Sequence, residues 1–238
     1  MKLYIANWKT YLNLNQEIAL AKKFAYETNS ANQVVICPSF VSLYPINEIL
    51  KNSPIVLGAQ NCAPITSGPL TGEVSAVSLS ELDCKYCIIG HSERRQNFSE
   101  SNDIILKKLE LLSDQNITPI LCIGESLIDH ESNRILETLK YQLDIVEQVK
   151  KLKKLIIAYE PIWAIGTEVA AEPEYVEKIF SYIESLMLKT KSKISYTLVY
   201  GGSVNEHTAK ELKKIGQLGG FLIGKASTDI NKFLKIID

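Results

Sequence analysis

The chain has 238 residues, 46% of them hydrophobic and 22% charged, with a formal net charge of -1. This near-neutral balance excludes a general electrostatic attraction to nucleic acid or to anionic lipid. No apolar run reaches transmembrane length, and residues 1–7 are too short and too soon polar for a signal peptide. Length and composition predict a globular protein with a full core, as one large domain or two small ones.

Apolar, β-prone runs alternate with helical patterns along the whole chain. The predicted strands are 3–8, 33–37, 55–59, 86–90, 118–123, 155–159, 195–200 and 219–224. The predicted helices are 16–27, 41–51, 74–82, 100–115, 128–154, 174–190, 206–214 and 229–237. Eight strand–helix units of about thirty residues, with no linker between them, fit a closed (β/α)8 barrel better than a doubly wound sheet. We therefore expect residues 1–238 to form a single α/β domain.

The longest predicted helix, 128–154, ends in a basic run. Its lysines are Lys150, Lys151, Lys153 and Lys154. Such a run could bind phosphate or nucleic acid, but positive charge at a helix C-terminus is also favoured by the helix dipole. We interpret the run as a solvated face.

The cysteines are an odd, scattered set without a secretory framework. They are Cys37, Cys62, Cys84, Cys87 and Cys122. Cys84 and Cys87 have the spacing of half a zinc site, but no second pair and no nearby histidine accompany them. Buried free thiols in a reducing cytoplasm are the favoured interpretation.

The predicted strands end in polar residues, and the active sites of (β/α)8 barrels lie at those ends. Glu160 ends the sixth strand, and Pro161 and the apolar residues 162–165 follow it. A carboxylate ahead of an apolar, Trp-bearing loop favours a base beneath a lid that excludes water. From this segment alone, a buried loop anchor with an incidental glutamate is an equally good interpretation.

Other strand ends supply a cation, an imidazole and glycine-rich turns. Lys9 follows the first strand, His91 the fourth, and Gly201-Gly202 the seventh. Separately, these are a surface charge, a helix-capping residue and a turn. Together at one end of a barrel, they favour proton transfer on a small phosphorylated substrate, because backbone N–H groups of such turns bind phosphate.

Five segments resemble motifs of the triosephosphate isomerase family, in family order and across essentially the whole chain. They are Ala-Asn-Trp-Lys at 6–9, Gly-His-Ser-Glu-Arg-Arg at 90–95, Leu-Cys-Ile-Gly-Glu at 121–125, Tyr-Glu-Pro-Ile-Trp-Ala-Ile-Gly-Thr at 159–167 and Tyr-Gly-Gly-Ser-Val at 200–204. The resemblance implies a TIM barrel that interconverts dihydroxyacetone phosphate and D-glyceraldehyde 3-phosphate through an enediolate. It places that reaction in glycolysis, gluconeogenesis and the pentose phosphate pathway.

The resemblance also implies roles for individual residues. Glu160 is the base, and a neutral His91 polarises the substrate oxygens. Lys9 and Asn7 act as further electrophiles, and Glu93 orients Lys9. The phosphate-binding residues are Gly166, Ser203, Gly202, Gly224 and Lys225, and no metal or cofactor is required. The lid comprises Pro161, Ile162, Trp163, Ala164, Ile165, Gly166 and Thr167, within a mobile stretch that runs on to residue 171.

The loop after the third strand resembles the family's dimer loop. The resemblance implies a homodimer in which Thr71 enters the partner's site and Glu73 meets Arg94 of the other protomer. Two positions depart from the family pattern. Glu168 replaces a lid glycine, which strains the lid if that position needs a positive φ but is mild if only its backbone N–H meets Ser203. Lys225 replaces a small residue at the phosphate, and we expect its side chain to point away while its N–H still serves.

Two other functions remain open from the sequence. The first is a phosphosugar barrel in which Lys9 forms a Schiff base, which requires a desolvated lysine. The second is a non-catalytic barrel that binds a phosphate ligand or a protein partner, as the departures at Glu168 and Lys225 would permit. The presence of both the base and the imidazole favours the isomerase.

Overall fold

The structure is a computed structural model that describes residues 1–28, 31–164, 171–190 and 193–238. Within these ranges the strands are β1 (Leu3–Asn7), β2 (Gln33–Cys37), β3 (Val56–Ala59), β4 (Tyr86–Ile89), β5 (Thr118–Ile123), β6 (Lys154–Tyr159), β7 (Ser195–Tyr200) and β8 (Leu218–Ile223). Each strand pairs in parallel with the next, and β8 pairs with β1. The predicted (β/α)8 barrel is confirmed.

Helices cover the outside of the barrel. Those in the described ranges are α1 (Leu14–Glu27), α2 (Leu43–Leu50), α3 (Ala76–Glu81), α4 (Ser92–Asn97), α5 (Asn102–Asp114), α6 (Leu127–Glu131), α7 (Ile135–Leu143), α8 (Pro173–Met187), α9 (Glu206–Leu212) and α10 (Ile230–Ile237). Their starts follow local chemistry. The side chain of Asn13 caps α1, Ser101 caps α5, and Pro173 occupies the first turn of α8.

Alternation along each strand divides the core into two layers. In β1, Leu3 and Ile5 point into the barrel, while Tyr4 and Ala6 point toward the helices. The inner layer comprises Leu3, Ile5, Val35, Cys37, Ile88, Ile120, Cys122, Ile156, Ala158, Val199 and Leu222. Side chains fill the barrel's interior, so a ligand site has to lie above this layer, at one end of the strands.

The prediction of one long helix over 128–154 is wrong. The structure has α6 and α7 there, separated at Asn133, which has a φ of 54° and so lies outside the helical region. Val149 is extended, and Lys154 already begins β6. The lysine run therefore follows a short 3₁₀ turn, Val146–Gln148, rather than the end of one long α-helix. Its four lysines are exposed, as predicted, and Lys151 is paired with Asp114.

All five cysteines are buried and free, which confirms the prediction for Cys84 and Cys87. Among the described residues, no group of three or more His, Cys, Asp or Glu side chains is arranged to hold a metal ion. No helix in the described ranges has both the length and the apolar composition needed to cross a membrane.

Candidate active site

A cavity of about 750 Å³ opens at the carboxyl ends of the strands. It brings together all five residues predicted to be catalytic, which are Asn7, Lys9, His91, Glu93 and Glu160. The rest of its lining comprises Tyr11, Gly201, Gly202, Ser203, Val204, Asn205, Leu222, Gly224, Lys225 and Ala226. Residues at the ends of β1, β4, β6, β7 and β8 thus converge at the carboxyl ends of the strands, where a (β/α)8 barrel is expected to have its active site.

Lys9 has an unusual backbone conformation. Its φ is 50°, in the left-handed region that a side chain with a Cβ rarely adopts. Two amides hold it there, because Asn7 Oδ1 accepts the Lys9 N–H at 3.2 Å and Gln60 Nε2 donates to the Lys9 carbonyl at 2.9 Å. Gln60 also donates to the carbonyl of Cys37 at 3.0 Å. Sequence reasoning assigned Gln60 no role in the site.

The ammonium of Lys9 is fixed by Glu93. Lys9 Nζ donates to Glu93 Oε1 at 2.6 Å, which is the partnership that the family resemblance implied. Glu93 lies in the first turn of α4, where a carboxylate also complements the helix dipole. The cation is therefore positioned over the cavity by a residue from a different strand–helix unit.

His91 is held in one neutral tautomer by its own helix. It caps α4, and its Nδ1 accepts the N–H of Glu93 at 3.2 Å, so this nitrogen carries no hydrogen. The remaining nitrogen, Nε2, is the N–H donor and lies 3.1 Å from Glu160 Oε1. Gly90, with a φ of 65°, turns the chain before it, and a Cβ there would lie 3.0 Å from Arg95 Nη2. The site thus presents a neutral imidazole N–H to the cavity.

Glu160 is almost fully buried, with 2% of its surface exposed. Its Oε2 accepts the N–H of Ser92 at 3.1 Å, and its Oε1 faces His91. Its own N–H donates to the carbonyl of Ile123 at 2.7 Å. Both carboxylate oxygens therefore have donors within the chain, and burial leaves the group little contact with water.

A buried thiol, Cys122, and a half-buried guanidinium, Arg95, lie near Glu160. Burial, and then the carboxylate of Glu160, raise the pKa of the Cys122 thiol well above its usual value, so it stays protonated. Arg95 donates to the carbonyl of Gly90 at 2.8 Å and to Asn102 Oδ1 at 2.9 Å. Burial lowers the pKa of the Arg95 guanidinium, which Cys122 and Glu160 partly offset. A positive guanidinium therefore stands near the buried carboxylate.

The candidate phosphate-binding residues share one side of the cavity. Ser203, Gly202, Gly224 and Lys225 all line it, whereas Gly166 lies outside the described residues. Lys225 is exposed and begins a 3₁₀ turn, Lys225–Thr228, whose first N–H groups are not used within the turn. A Cβ on Gly224 would lie 3.5 Å from Lys9 Cε, so this side of the cavity adjoins the lysine.

The described start of the candidate lid is held by a buried carboxylate. Residues Ile162–Ala164 form a 3₁₀ turn, and the indole N–H of Trp163 donates to Glu125 Oε1 at 2.7 Å. Ile162 N–H donates to the carbonyl of Glu125 at 3.2 Å. Ser203 Oγ donates to the carbonyl of Ala164 at 2.7 Å. Of the predicted lid, Ile165, Gly166 and Thr167 lie outside the described residues, as does Glu168.

Glu125 ends the motif at 121–125, and the sequence alone did not predict a role for it. The signal was present, because Glu125 follows a buried strand just as Glu160 does, and a carboxylate at that position is costly unless it is used. Its carboxylate also accepts the hydroxyls of Tyr159 and Tyr175, each at 2.9 Å. We call these three residues, with Trp163 and His130, the Glu125 cluster.

The residues predicted to contact a second protomer lie away from the cavity of their own chain. Thr71 and Glu73 are exposed in the loop between β3 and α3. Arg94 is engaged within the chain, with Nε donating to Glu100 and the guanidinium 4.7 Å from the ring centroid of Phe98.

Comparison of the sequence with known proteins finds the same family throughout. A family model described as "Triosephosphate isomerase" matches residues 2–238. Triosephosphate isomerases of Aquifex aeolicus and Dictyoglomus turgidum are each 40% identical to the chain, covering 99% of it and 98% of their own lengths. That of Buchnera aphidicola is 36% identical over 100% of the chain and 98% of its own length.

Proposed function

The chain belongs to the triosephosphate isomerase family, and from this premise we propose that it interconverts dihydroxyacetone phosphate and D-glyceraldehyde 3-phosphate through an enediolate. One observation carries the proposal most directly. A buried carboxylate, Glu160, contacts the neutral imidazole N–H of His91 at 3.1 Å beside an open cavity. A base and an electrophile so placed suit proton transfer between two adjacent carbons.

Glu160 is the proposed base. A proton on carbon beside a carbonyl is weakly acidic, so its removal needs a carboxylate with little solvation. The carboxylate accepts the N–H of Ser92. It has to exchange that hydrogen bond for the substrate's carbon-bound proton, which it takes from one carbon and returns to the other.

His91, Lys9 and Asn7 are the proposed electrophiles. The Nε2–H of His91 can donate to either oxygen of the enediolate without first losing a proton, and the Lys9 ammonium adds positive charge where oxygen becomes negative. Glu93 holds the ammonium at 2.6 Å. This pairing argues against the Schiff-base alternative, in which the lysine has to be an unpaired amine.

The phosphate is proposed to bind at the side of the cavity lined by Gly202, Ser203, Gly224 and Lys225, with Gly166 as a further donor. Exposed N–H groups at the start of the 3₁₀ turn after β8 support this assignment, since such groups bind dianions. We propose that residues 161–167 act as a lid over this end. The bonds of Ala164 to Ser203 and of Trp163 to Glu125 support a lid that engages the cavity wall.

We propose a homodimer as the working form. The loop around Thr71 and Glu73 is exposed, and nearby segments expose large apolar side chains that a partner could cover. These are Tyr11, Tyr44, Leu70 and Phe98. Thr71 would complete the partner's site, and Glu73 would pair with the partner's Arg94. The five free thiols support a reducing, cytoplasmic location, and the reaction needs no metal or organic cofactor.

The test is turnover of D-glyceraldehyde 3-phosphate, coupled to reduction of the dihydroxyacetone phosphate formed. Glu160→Gln removes the base and should lower kcat by about three or more powers of ten, and His91→Gln by about two. Glu131→Gln, at an exposed carboxylate outside the cavity, is the matched control and should retain native turnover. A folded native protein that binds the substrate but does not isomerise it would refute the proposal in favour of the binding-protein alternative.

A further inference from the structure

His130 lies where the proposed mechanism assigns nothing. It belongs to α6, and its Nδ1 is 3.3 Å from the hydroxyl of Tyr175 and 3.9 Å from Glu125 Oε1. Its ring centroid is 4.7 Å from that of Trp163, with an interplanar angle of 38°. The His130 imidazole thus contacts Trp163, whose indole anchors the turn after Glu160. It also contacts Tyr175 and Glu125, the two groups that hold this indole in place.

The hydrogen bonds of the cluster assign a proton to His130 Nδ1. Tyr175 has one hydroxyl hydrogen, and it is committed to Glu125 Oε1 at 2.9 Å. Tyr175 can therefore only accept from His130, so Nδ1 carries a hydrogen and donates it. The result is a relay from His130 through Tyr175 to Glu125, whose same oxygen accepts the indole N–H of Trp163 at 2.7 Å.

Charge is the second reason to single out this imidazole. The Glu125 carboxylate is fully buried and, as far as the structure describes the chain, His130 is the only side chain within 4.0 Å of it that can carry a positive charge. About a third of the His130 side chain is exposed, so Nε2 can take up a second proton while Nδ1 keeps its bond. A cation there would attract both the carboxylate and the face of the indole.

We propose that His130 is a positioning residue that holds Trp163 on Glu125, and that protonation of its imidazole strengthens this hold. The consequence for catalysis rests on the proposed function, because the turn that Trp163 anchors begins two residues after Glu160. When Trp163 is held, Ile162 and Ala164 stay bound to Glu125 and Ser203, and the wall of the cavity next to the base keeps its shape.

Other titratable groups surround His130, and their effects on Trp163 have to be distinguished from the effect of the imidazole. Burial raises the pKa of both Tyr159 and Tyr175, so neither phenol ionises near neutral pH. Glu125 faces the ring from the loop after β5, and Asp129 and Glu131 flank it on α6. Asp129 is paired with Arg134 at 3.2 Å. The pH titration must therefore be compared between variants at position 130 rather than interpreted from one protein.

The test uses the whole protein labelled with 5-fluorotryptophan. The chain has two tryptophans, so its ¹⁹F spectrum holds two resonances, and Trp8, fully buried against Phe24, serves as an internal reference. The Trp163 resonance should shift when the pH is lowered and the imidazole gains a proton, while that of Trp8 stays constant. The shift should vanish in His130→Gln and His130→Phe, and persist in His207→Gln, an exposed histidine on α9.

Turnover gives the second readout. His130→Phe keeps a ring against Trp163 but removes the donor to Tyr175, and should lower kcat about fivefold or more with KM within about twofold. His130→Gln restores a donor and should recover most of that loss. A Trp163 resonance that titrates equally without His130, or equal kcat for all three proteins, would overturn the proposal. The ¹⁹F readout needs no turnover, so absence of isomerase activity would refute the proposed function without obscuring this result.

Discussion

Gly124 and Glu160 approach so closely that a Cβ on Gly124 would lie 1.7 Å from the carbonyl oxygen of Glu160. The backbone of the proposed base is thereby seated against the end of the neighbouring strand, where its N–H also donates to Ile123. This contact fixes the height of Glu160 above the inner core.

Gly124→Ala should therefore displace the base. We expect a loss of kcat of tenfold or more and destabilisation of about 1–3 kcal/mol, because the added methyl cannot be accommodated without a backbone shift. Urea unfolding and coupled turnover measure the two effects. Gly216→Ala is the control, since a Cβ there meets nothing within 4 Å. Native activity in Gly124→Ala would show that this contact does not position the base.

Lys108 is a buried cation, with 1% of its surface exposed, bound to Glu100 and to Asn61 Oδ1 at 2.7 Å. Lys108→Met should destabilise the chain by about 3–5 kcal/mol, because it leaves the Glu100 carboxylate buried with one cation fewer. The midpoint of urea unfolding should fall with an unchanged slope. Lys140→Ala breaks an exposed pair with Asp144 and should leave the midpoint where it is. Equal midpoints for the two variants would contradict the argument.

We expect the buried phenol of Tyr200 to lower the free energy of unfolding at alkaline pH. Burial raises its pKa to about 12 in the folded chain, against about 10 for an exposed tyrosine. The unfolded state therefore loses its proton first, so the contribution is complete below about pH 10 and disappears as the pH rises toward 12.

The native chain should lose stability between pH 9 and pH 11, and this loss should be smaller by roughly 1 kcal/mol in Tyr200→Phe. The measurement is the free energy of unfolding in urea at both pH values. Tyr26→Phe, at a side chain 91% exposed, is the control and should leave the loss unchanged. A loss as large in Tyr200→Phe as in the native chain would show that this phenol is not responsible.

Of the two departures from the family pattern, Glu168 and Lys225, only Lys225 lies within the described residues. Its side chain is exposed at the rim of the cavity, and its backbone begins the 3₁₀ turn at the proposed phosphate end. We expect Lys225→Gly to change KM by less than about tenfold, or about 1.4 kcal/mol, because the N–H remains. Lys225→Met, which removes the ammonium alone, should match it. A larger change in both variants would assign the side chain itself to phosphate binding.

Strand patterns and strand ends carried most of the information in the sequence. β2 occupies 33–37 as predicted, and β5 and β7 also match their predicted bounds. β2 and β5 are buried on both faces over all but their first residue, so their apolar runs are nearly continuous and end sharply. β7 is buried over its last three residues. The convergence of Lys9, His91 and Glu160 followed from the barrel, because its closure brings all the strand ends together.

The errors and omissions have local causes. The 128–154 pattern kept a helical period, but the sequence does not show that Asn133 adopts a φ of 54° and ends the repeat. Gln60 and Glu125 were overlooked as functional residues because their roles depend on distant partners, at Lys9 and Trp163. Such contacts exist only after the strands have closed.

The five buried thiols can be used to measure local opening of the barrel. All are shielded from solvent in the folded chain, yet they are distributed over β2, β4, β5 and the segments beside β3 and β4. An alkylating reagent can reach each sulfur only while the segment around it is open, so its rate of modification measures that opening. Mapping the modified peptides over time would show whether the wall opens strand by strand or all at once.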